Sequence, residues 1–236
     1  MREPQYSDSW VYEGIVGALP GIEIEPRVAL ALQFLLFETA VLAVGFVYGL
    51  REAVVAGTVA VVVATVGSAE LLRIGDRIRE TPVPESYRRL LFGSNVEVVL
   101  SVLAYVALVT YLFVFDPRYA ATPLVETLFG PEPPVVAVYL MLLVLWDVCY
   151  RIGAGWWASV AALWRSARFE FDEAERRSLR RVDAETALFG AAQVAFLPFL
   201  TTQPVLFLVV AGHVGAVLLV TGASMLLLSR GGPRDG

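Results

Sequence analysis

Lysine is absent from this chain, and all 18 of its basic residues are therefore arginines. A retinal or pyridoxal Schiff base and a lysine-bearing phosphate loop each need a lysine amine, so the sequence excludes them. The chain also has one histidine, His213, and one cysteine, Cys149. A His/Cys zinc site and an internal disulfide need more of these residues, so we predict no metal site and no cofactor.

Charged residues are scarce, whereas apolar residues are abundant. Charged residues make up 17% of the chain and hydrophobic residues 57%, a share that does not count Gly. Soluble domains typically reach about 45–50% with Gly included. The charged residues also cluster between long apolar runs, which a soluble core would not need. The composition therefore indicates an integral membrane protein surrounded by the lipid bilayer.

Six apolar runs can be assigned as membrane spans, because about 20 helical residues cross the roughly 30 Å hydrocarbon core. We predict an all-α, polytopic membrane helix bundle with six transmembrane helices over residues 28–228, between a cytoplasmic N-terminal segment, 1–27, and a cytoplasmic tail, 229–236. The predicted spans are residues 28–50, 53–72, 96–115, 135–154, 186–200 and 205–228. The fifth span is the shortest and contains Gln193 and Pro198. If it does not cross fully, the fold has five crossings and the C-terminus lies outside.

A short interfacial helix is predicted before the first span, over residues 9–19. Ser7 or Asp8 can cap its beginning, and Pro20 followed by a glycine ends it. Trp10 and three aliphatic residues can share one side of this helix, so we expect it to lie in the plane of the membrane interface. A partly ordered tail is the alternative.

The distribution of arginine predicts the orientation of the helices. Residues 73–95 contain five arginines and residues 165–185 contain six, whereas residues 116–134 contain one and residues 201–204 none. Basic residues in short loops mark the cytoplasmic side of a membrane protein. We therefore expect both arginine-rich loops and, with six spans, both termini to face the cytoplasm at the cell membrane.

Four titratable residues of the predicted spans are candidates for a functional site: Glu38, Asp147, Arg151 and His213. An ionised group at the bilayer centre costs at least about 2.5–3.5 kcal/mol, so such groups usually face the bundle interior and pair. Asp147 and Arg151 are spaced i,i+4 and can meet on one helix face. Two interpretations stay open. The four residues line an ion, proton or solute path, as in a small transporter or channel-like module, or the Asp147–Arg151 pair clamps helices together.

Other polar and small residues at the helix ends and in the last span have structural interpretations. Glu70 and Glu97 are predicted at the cytoplasmic ends of the second and third spans, where we expect surface pairing with the neighbouring arginines. Gly212, Gly215 and Gly222 are predicted to permit close helix packing in the sixth span.

The segment at 165–181 is rich in arginine, but acidic residues are interleaved with the basic ones. This pattern is typical of a salt-bridged cytoplasmic helix and argues against a nucleic-acid site. The remaining positive charge, on Arg176, Arg177, Arg180 and Arg181, is expected to contact anionic lipid headgroups or a partner. The alternative function is therefore a non-catalytic scaffold or accessory subunit that binds anionic lipid, a protein partner or a second copy of the chain through these arginines.

An intramembrane protease can be considered and rejected. Six spans and a histidine followed by glycines in the last one resemble the rhomboid proteases, which need a Ser in a Gly-x-Ser-Gly context on the fourth helix. The fourth span reads LVLWDVCYRIGAG and has no Ser, and Ser159 lies outside such a context. A base without a nucleophile has nothing to activate. We therefore predict no catalytic residues.

Three motifs, WDVCYRIGAGWW, LVETLFGP and RRLLFGSNVEVVL, carry a resemblance to a group of uncharacterised multi-pass membrane proteins from haloarchaea. The resemblance extends from WVYEGIVGALPG through the sixth span. It implies a membrane location and an archaeal, halophilic source, with which the absence of lysine agrees. It implies no activity and no functional residues.

Overall fold

The computed structural model describes Trp10 and residues 25–230. The interfacial helix predicted at 9–19 lies outside the described residues except for Trp10, and so does the tail beyond 230. Within the described part of the chain the secondary structure is entirely helical, so the all-α class is confirmed there. Trp10 is buried, and its indole N–H donates a 3.0 Å hydrogen bond to the Leu71 carbonyl. It therefore packs into the helix bundle.

Nine α-helices, one π segment and one 3₁₀ segment make up the described structure. In chain order they are α1 (Pro26–Tyr48), α2 (Arg51–Glu80), α3 (Glu85–Phe92), α4 (Val96–Thr110), the π segment (Tyr111–Phe115), α5 (Asp116–Tyr119), α6 (Leu124–Phe129), α7 (Val135–Arg168), α8 (Glu173–Ala192), the 3₁₀ segment (Gln193–Leu200) and α9 (Pro204–Arg230).

Five stretches of the described chain are long and apolar enough to cross a membrane. They are α1, α2, the stretch Glu85–Tyr119, α7 and α9, and they overlap five of the six predicted spans almost completely. Local sequence explains their ends. Pro26 occupies the first turn of α1, where its missing N–H costs nothing, and Gly49 ends that helix with a left-handed φ of 70°. Asp172 and Glu175 form a reciprocal capping box at the beginning of α8.

The long helices extend beyond the predicted spans. α2 continues to Glu80, so most of the region predicted as the loop 73–95 is helical, including all of α3. α7 continues to Arg168, well past residue 154, where the predicted fourth span ends. Charged residues in α2 and α7 therefore lie on helices that continue past their apolar parts.

The predicted fifth span is built differently from the others. Residues 186–192 are the last turns of α8, and the chain then continues as an eight-residue 3₁₀ segment that contains Pro198. This stretch is not among the five candidate spans, because α8 begins with many charged residues and its apolar part is short. The 3₁₀ segment nevertheless packs along α9 and α2.

The bundle has two ends that differ in their connections. One end, the arginine-rich end, carries the α2–α3 and α7–α8 connections. A 2.9 Å ion pair between Arg77 of α2 and Glu185 of α8 joins these two helices. The other end, the short-link end, carries the turn at Gly49 and the link at 201–203. There Leu112, Leu200 and Leu206 form an apolar cluster.

Helix α7 is central and packs against α4, α9, α2 and α8. Glycines make the α4–α7 contact and the α8–α9 contact close. A Cβ on Gly153 would lie 2.9 Å from the Ser101 backbone nitrogen, and one on Gly190 would lie 2.7 Å from Val217. The glycines predicted to pack closely, Gly212, Gly215 and Gly222 of α9, do not: an added Cβ meets no atom within 4 Å. That prediction is wrong for the described chain, because the three glycines face away from the neighbouring helices.

Candidate functional site

Asp147 and Arg151 form an ion pair on α7. Their side chains approach to 2.8 Å, and the Arg151 side chain is fully buried. Gln33 of α1 donates a 2.9 Å hydrogen bond to the other carboxylate oxygen of Asp147. The Arg151 guanidinium also lies 5.1 Å from the centre of the Tyr150 ring, at cation–π distance. The two charges therefore neutralise each other, and the Gln33 hydrogen bond joins the pair on α7 to α1.

The other two predicted site residues lie elsewhere. Glu38 of α1 accepts a 2.8 Å hydrogen bond from Thr58 of α2, and its second carboxylate oxygen is buried without a partner among the described residues. His213 of α9 packs its ring 5.8 Å from that of Trp156 on α7. The four predicted residues therefore occupy three different helix interfaces, α1–α2, α1–α7 and α7–α9.

A second polar network lies near the arginine-rich end. Arg165 of α7 donates to both carboxylate oxygens of Asp183 on α8, each at 2.9 Å. Ser224 of α9 donates to Asp183 at 2.6 Å, and Arg165 also donates to the Tyr87 hydroxyl of α3 at 3.3 Å. Arg165, Asp183, Ser224 and Tyr87 are all buried. This Arg165 network joins four helices.

The electrostatics of the Arg165 network explain why its members must occur together. Burial raises the pKa of the Asp183 carboxyl, and the Arg165 guanidinium and the Ser224 hydroxyl oppose that rise. Taking either charge out of water costs several kcal/mol, which is recovered only when the partner and the further hydrogen bonds are present. The network therefore holds the four helices together, and each buried charge is stable only while its partner is present.

The sequence predictions missed this network. Arg165 was counted with the arginines of a cytoplasmic loop, and Asp183 with the charged segment before the fifth span. One signal points to Asp183: it shares the apolar face of α8 with Leu179, Thr186 and Phe189, all buried. A carboxylate on an apolar helix face requires a buried partner. The identity of that partner, 18 residues away, depends on the fold.

Two acidic residues differ from their predicted surface role. Glu70 does pair with Arg73, at 2.7 Å, but its own side chain is only 4% exposed. Glu97 is fully buried, and neither of its carboxylate oxygens has a hydrogen-bond partner among the described residues. The prediction of surface pairing is wrong for Glu97, because α4 packs closely along α7. Its place in the first turn of α4 is one where the helix dipole favours a negative group.

The four arginines predicted to contact lipid or a partner lie at the beginning of α8. Arg177 pairs with Glu173 at 3.1 Å, and both side chains are largely exposed. Arg180 and Arg181 are exposed and Arg176 is half-buried. Within residues 25–230, these three have no ion pair. The same side of the helix continues with exposed apolar residues, Ala184 and Leu188.

A metal centre is not suggested by the described residues. Among them, no three His, Cys, Asp or Glu side chains lie close enough together to hold an ion. The polar groups that the structure does bring together are ion pairs and hydrogen bonds between helices.

Over the part of the chain that the structure describes, these features define a class: an all-helical bundle with five helices long and apolar enough to cross a membrane, joined internally by polar contacts between helices. The model of a family of unknown function, DUF7530, matches residues 5–224, and the chain belongs to that family. No curated protein and no solved structure matches the chain.

Proposed function

We propose that the chain is a six-span protein of the cell membrane with both termini in the cytoplasm, and that it acts as a non-catalytic module that binds anionic lipid headgroups. The observation that carries this proposal is the change along the exposed face of α8. Arg176, Arg180 and Arg181, which have no ion pair within residues 25–230, are followed by exposed Ala184 and Leu188 within about two turns. Such a change is typical of a helix that enters the hydrocarbon from the headgroup region.

The length of the fifth crossing supports the six-span assignment. Residues 186–192 in α form and the eight residues of the 3₁₀ segment rise about 26 Å, since a 3₁₀ helix rises about 2.0 Å per residue. An α-helix of the same residues would be shorter. At its two ends this stretch adjoins Asp183 of the Arg165 network and the Leu200 cluster at the short-link end.

The positive charge on α8 supports the choice of ligand. Arg177 is neutralised by Glu173, whereas Arg176, Arg180 and Arg181 have no ion pair among the described residues. Each basic residue near an anionic membrane surface contributes about 1 kcal/mol of attraction. Three such residues at the beginning of one helix, with the apolar face of that helix immediately beyond them, suit the phosphate groups of anionic lipids.

The intramembrane polar residues are assigned a structural role in this proposal. Asp147 is hydrogen-bonded by Gln33 and paired with Arg151, and Glu38 is hydrogen-bonded by Thr58. The Gln33 and Thr58 hydrogen bonds each join two helices, and the Asp147–Arg151 pair within α7 neutralises two charges that would be costly in hydrocarbon. The two hydrogen bonds therefore hold α1, α2 and α7 together.

The test compares thermal unfolding of the purified protein in mild detergent after addition of phosphatidylglycerol or phosphatidylcholine. We expect phosphatidylglycerol to raise the unfolding midpoint of the native chain more than phosphatidylcholine does. The triple variant Arg176→Gln, Arg180→Gln, Arg181→Gln should lose that difference. The matched control, Arg177→Gln, removes an already paired arginine from the same helix and should keep it. Equal shifts of the unfolding midpoint by the two lipids in the native chain would refute the proposed lipid contact. If an acidic protein co-purifies with the native chain but not with the triple variant, the partner alternative is favoured.

A second candidate function, a small transporter or channel-like module, is favoured by two buried polar atoms. One carboxylate oxygen of Glu38 and Nε2 of His213 have no hydrogen-bond partner among the described residues. The test is ion and proton flux into vesicles that contain the protein. Flux that Glu38→Gln or Asp147→Asn abolishes while the protein stays folded would establish a path. Absence of flux in the native protein would leave these residues with the structural role.

The source of the chain is also part of the proposal. The absence of lysine and the three motifs support an archaeal, halophilic origin. For such a protein the lipid contact of α8 should be measured at high salt as well, because screening weakens contacts between exposed charges.

A further inference from the structure

An apolar cavity of about 130 Å³ lies in the half of the bundle nearer the short-link end. It is bounded by α1, α2, α6 and α7, and its lining includes Val41, Gly45, Gly57, Phe129, Ala137 and Val144. Nearly all of its surface is apolar, and it is only partly enclosed. No residue of the Asp147–Arg151 pair or of the Arg165 network lines it, so it is separate from the polar sites.

The geometry of α1 explains why the cavity exists. Close packing at glycines holds α1 against α2: a Cβ on Gly45 would overlap Val54, and one on Gly57 would lie 2.9 Å from Val41. Nearer the arginine-rich end, Gln33 holds α1 to Asp147 of α7. Beyond that hydrogen bond, towards the short-link end, residues of both α1 and α7 line the cavity.

We propose that this cavity binds the end of one hydrocarbon chain of a membrane lipid, which enters sideways between α1 and α7. The inference rests on the membrane location in the proposed function but not on the arginines of α8. An apolar cavity of similar size in a soluble protein stays dry and binds small hydrocarbons such as benzene. In a bilayer, the hydrocarbon available in excess at an open side is the lipid chain. Because the lining offers almost no polar surface, a polar or charged ligand would lose its hydration without compensation.

The test uses a phosphatidylcholine with a photoreactive diazirine in one acyl chain. The full-length protein in vesicles containing this lipid is irradiated, and the cross-linked residues are mapped by mass spectrometry. We expect the lining residues Val41 and Met141 to be labelled more strongly than the lipid-exposed Phe46 and Val47 of α1. A chain held in the cavity stays beside the same residues, whereas bulk lipid exchanges.

A filling variant and its control decide the interpretation. Ala137→Phe places a ring in the cavity and should reduce labelling of the lining residues to the level of the lipid-exposed ones. Val135→Phe adds the same ring on the outside of α7, where Val135 is 84% exposed, and should leave the labelling unchanged. If Ala137→Phe fails to give a folded protein, the smaller Ala137→Leu replaces it. Equal labelling of lining and exposed residues in the native chain would overturn the proposal. Labelling of the lining by a small diazirine hydrocarbon but not by the lipid would also overturn it.

Discussion

Arg165 and Asp183 meet in the interior of the bundle through two hydrogen bonds of 2.9 Å, with both side chains completely buried. They lie on consecutive helices, and Ser224 of α9 adds a third bond to the same carboxylate. The contact fixes how α8 turns back along α7. It therefore also sets the direction in which the 3₁₀ segment and the fifth crossing leave the arginine-rich end.

Removal of one charge from this pair should destabilise the protein strongly. Arg165→Gln or Asp183→Asn leaves the other charge buried and uncompensated, so we expect a loss of about 3–5 kcal/mol in the free energy of unfolding. The double variant Arg165→Met, Asp183→Leu removes both charges and should lose less than either single variant. The measurement is unfolding of the purified protein in detergent.

The exposed pair on α8 provides the control for that prediction. Arg177→Gln breaks the Arg177–Glu173 ion pair, in which both side chains are more than two-thirds exposed. We expect a change below about 1 kcal/mol, because water and salt screen such pairs. Losses of similar size in Arg165→Gln and Arg177→Gln would contradict the role assigned to the buried pair.

Gly153 and Gly215 should respond oppositely to the same substitution. A Cβ on Gly153 would meet the backbone nitrogen and Cα of Ser101 at 2.9 and 3.0 Å, so α4 and α7 would have to separate. We expect Gly153→Ala to cost about 1–3 kcal/mol, as overpacking does. Gly215→Ala meets no atom within 4 Å and should be neutral or stabilise by up to about 1 kcal/mol, because alanine is the better helix former. Unfolding in detergent measures both.

Gln33 should be the residue that holds α1 to α7. Gln33→Leu removes the donor to Asp147 and leaves a charged oxygen without that hydrogen bond, for an expected loss of about 1–3 kcal/mol. Leu36→Ala, at a position on α1 that is 69% exposed, is the matched control and should have little effect. If Leu36→Ala destabilises the protein as much as Gln33→Leu does, the hydrogen bond is not what holds the helix.

The apolar part of the fold could be predicted from the sequence because each span is a local property. Five of the six predicted spans fall on long apolar helices of the structure, and the i,i+4 spacing of Asp147 and Arg151 predicts their contact. Glu38 and His213 could be located on their helices in the same way. Their partners, Thr58 and Trp156, depend on how the helices rotate against each other, which hydropathy does not determine.

The contacts between helices could not be predicted from the sequence, because they depend on long-range packing. The Arg165 network joins residues as far apart as Tyr87 and Ser224, and each charge looked like a surface residue because its neighbours in sequence are charged. The glycines show the same limit. The run in α9 matched a packing pattern, yet Gly153 and Gly190 make the close contacts because their faces meet another helix. Sequence spacing finds a small-residue face but not what lies opposite it.

The number of crossings can be tested with single cysteines and a maleimide that does not pass the membrane. The native Cys149 is only 4% exposed and should stay unlabelled in intact cells. Thr202 lies in the exposed link before α9, and Ser229 is exposed at the end of that helix. With six crossings and cytoplasmic termini, Thr202→Cys should be labelled from outside and Ser229→Cys only after the cells are opened. With five crossings the two results would be exchanged, because the 3₁₀ segment would then return to the side from which α8 entered.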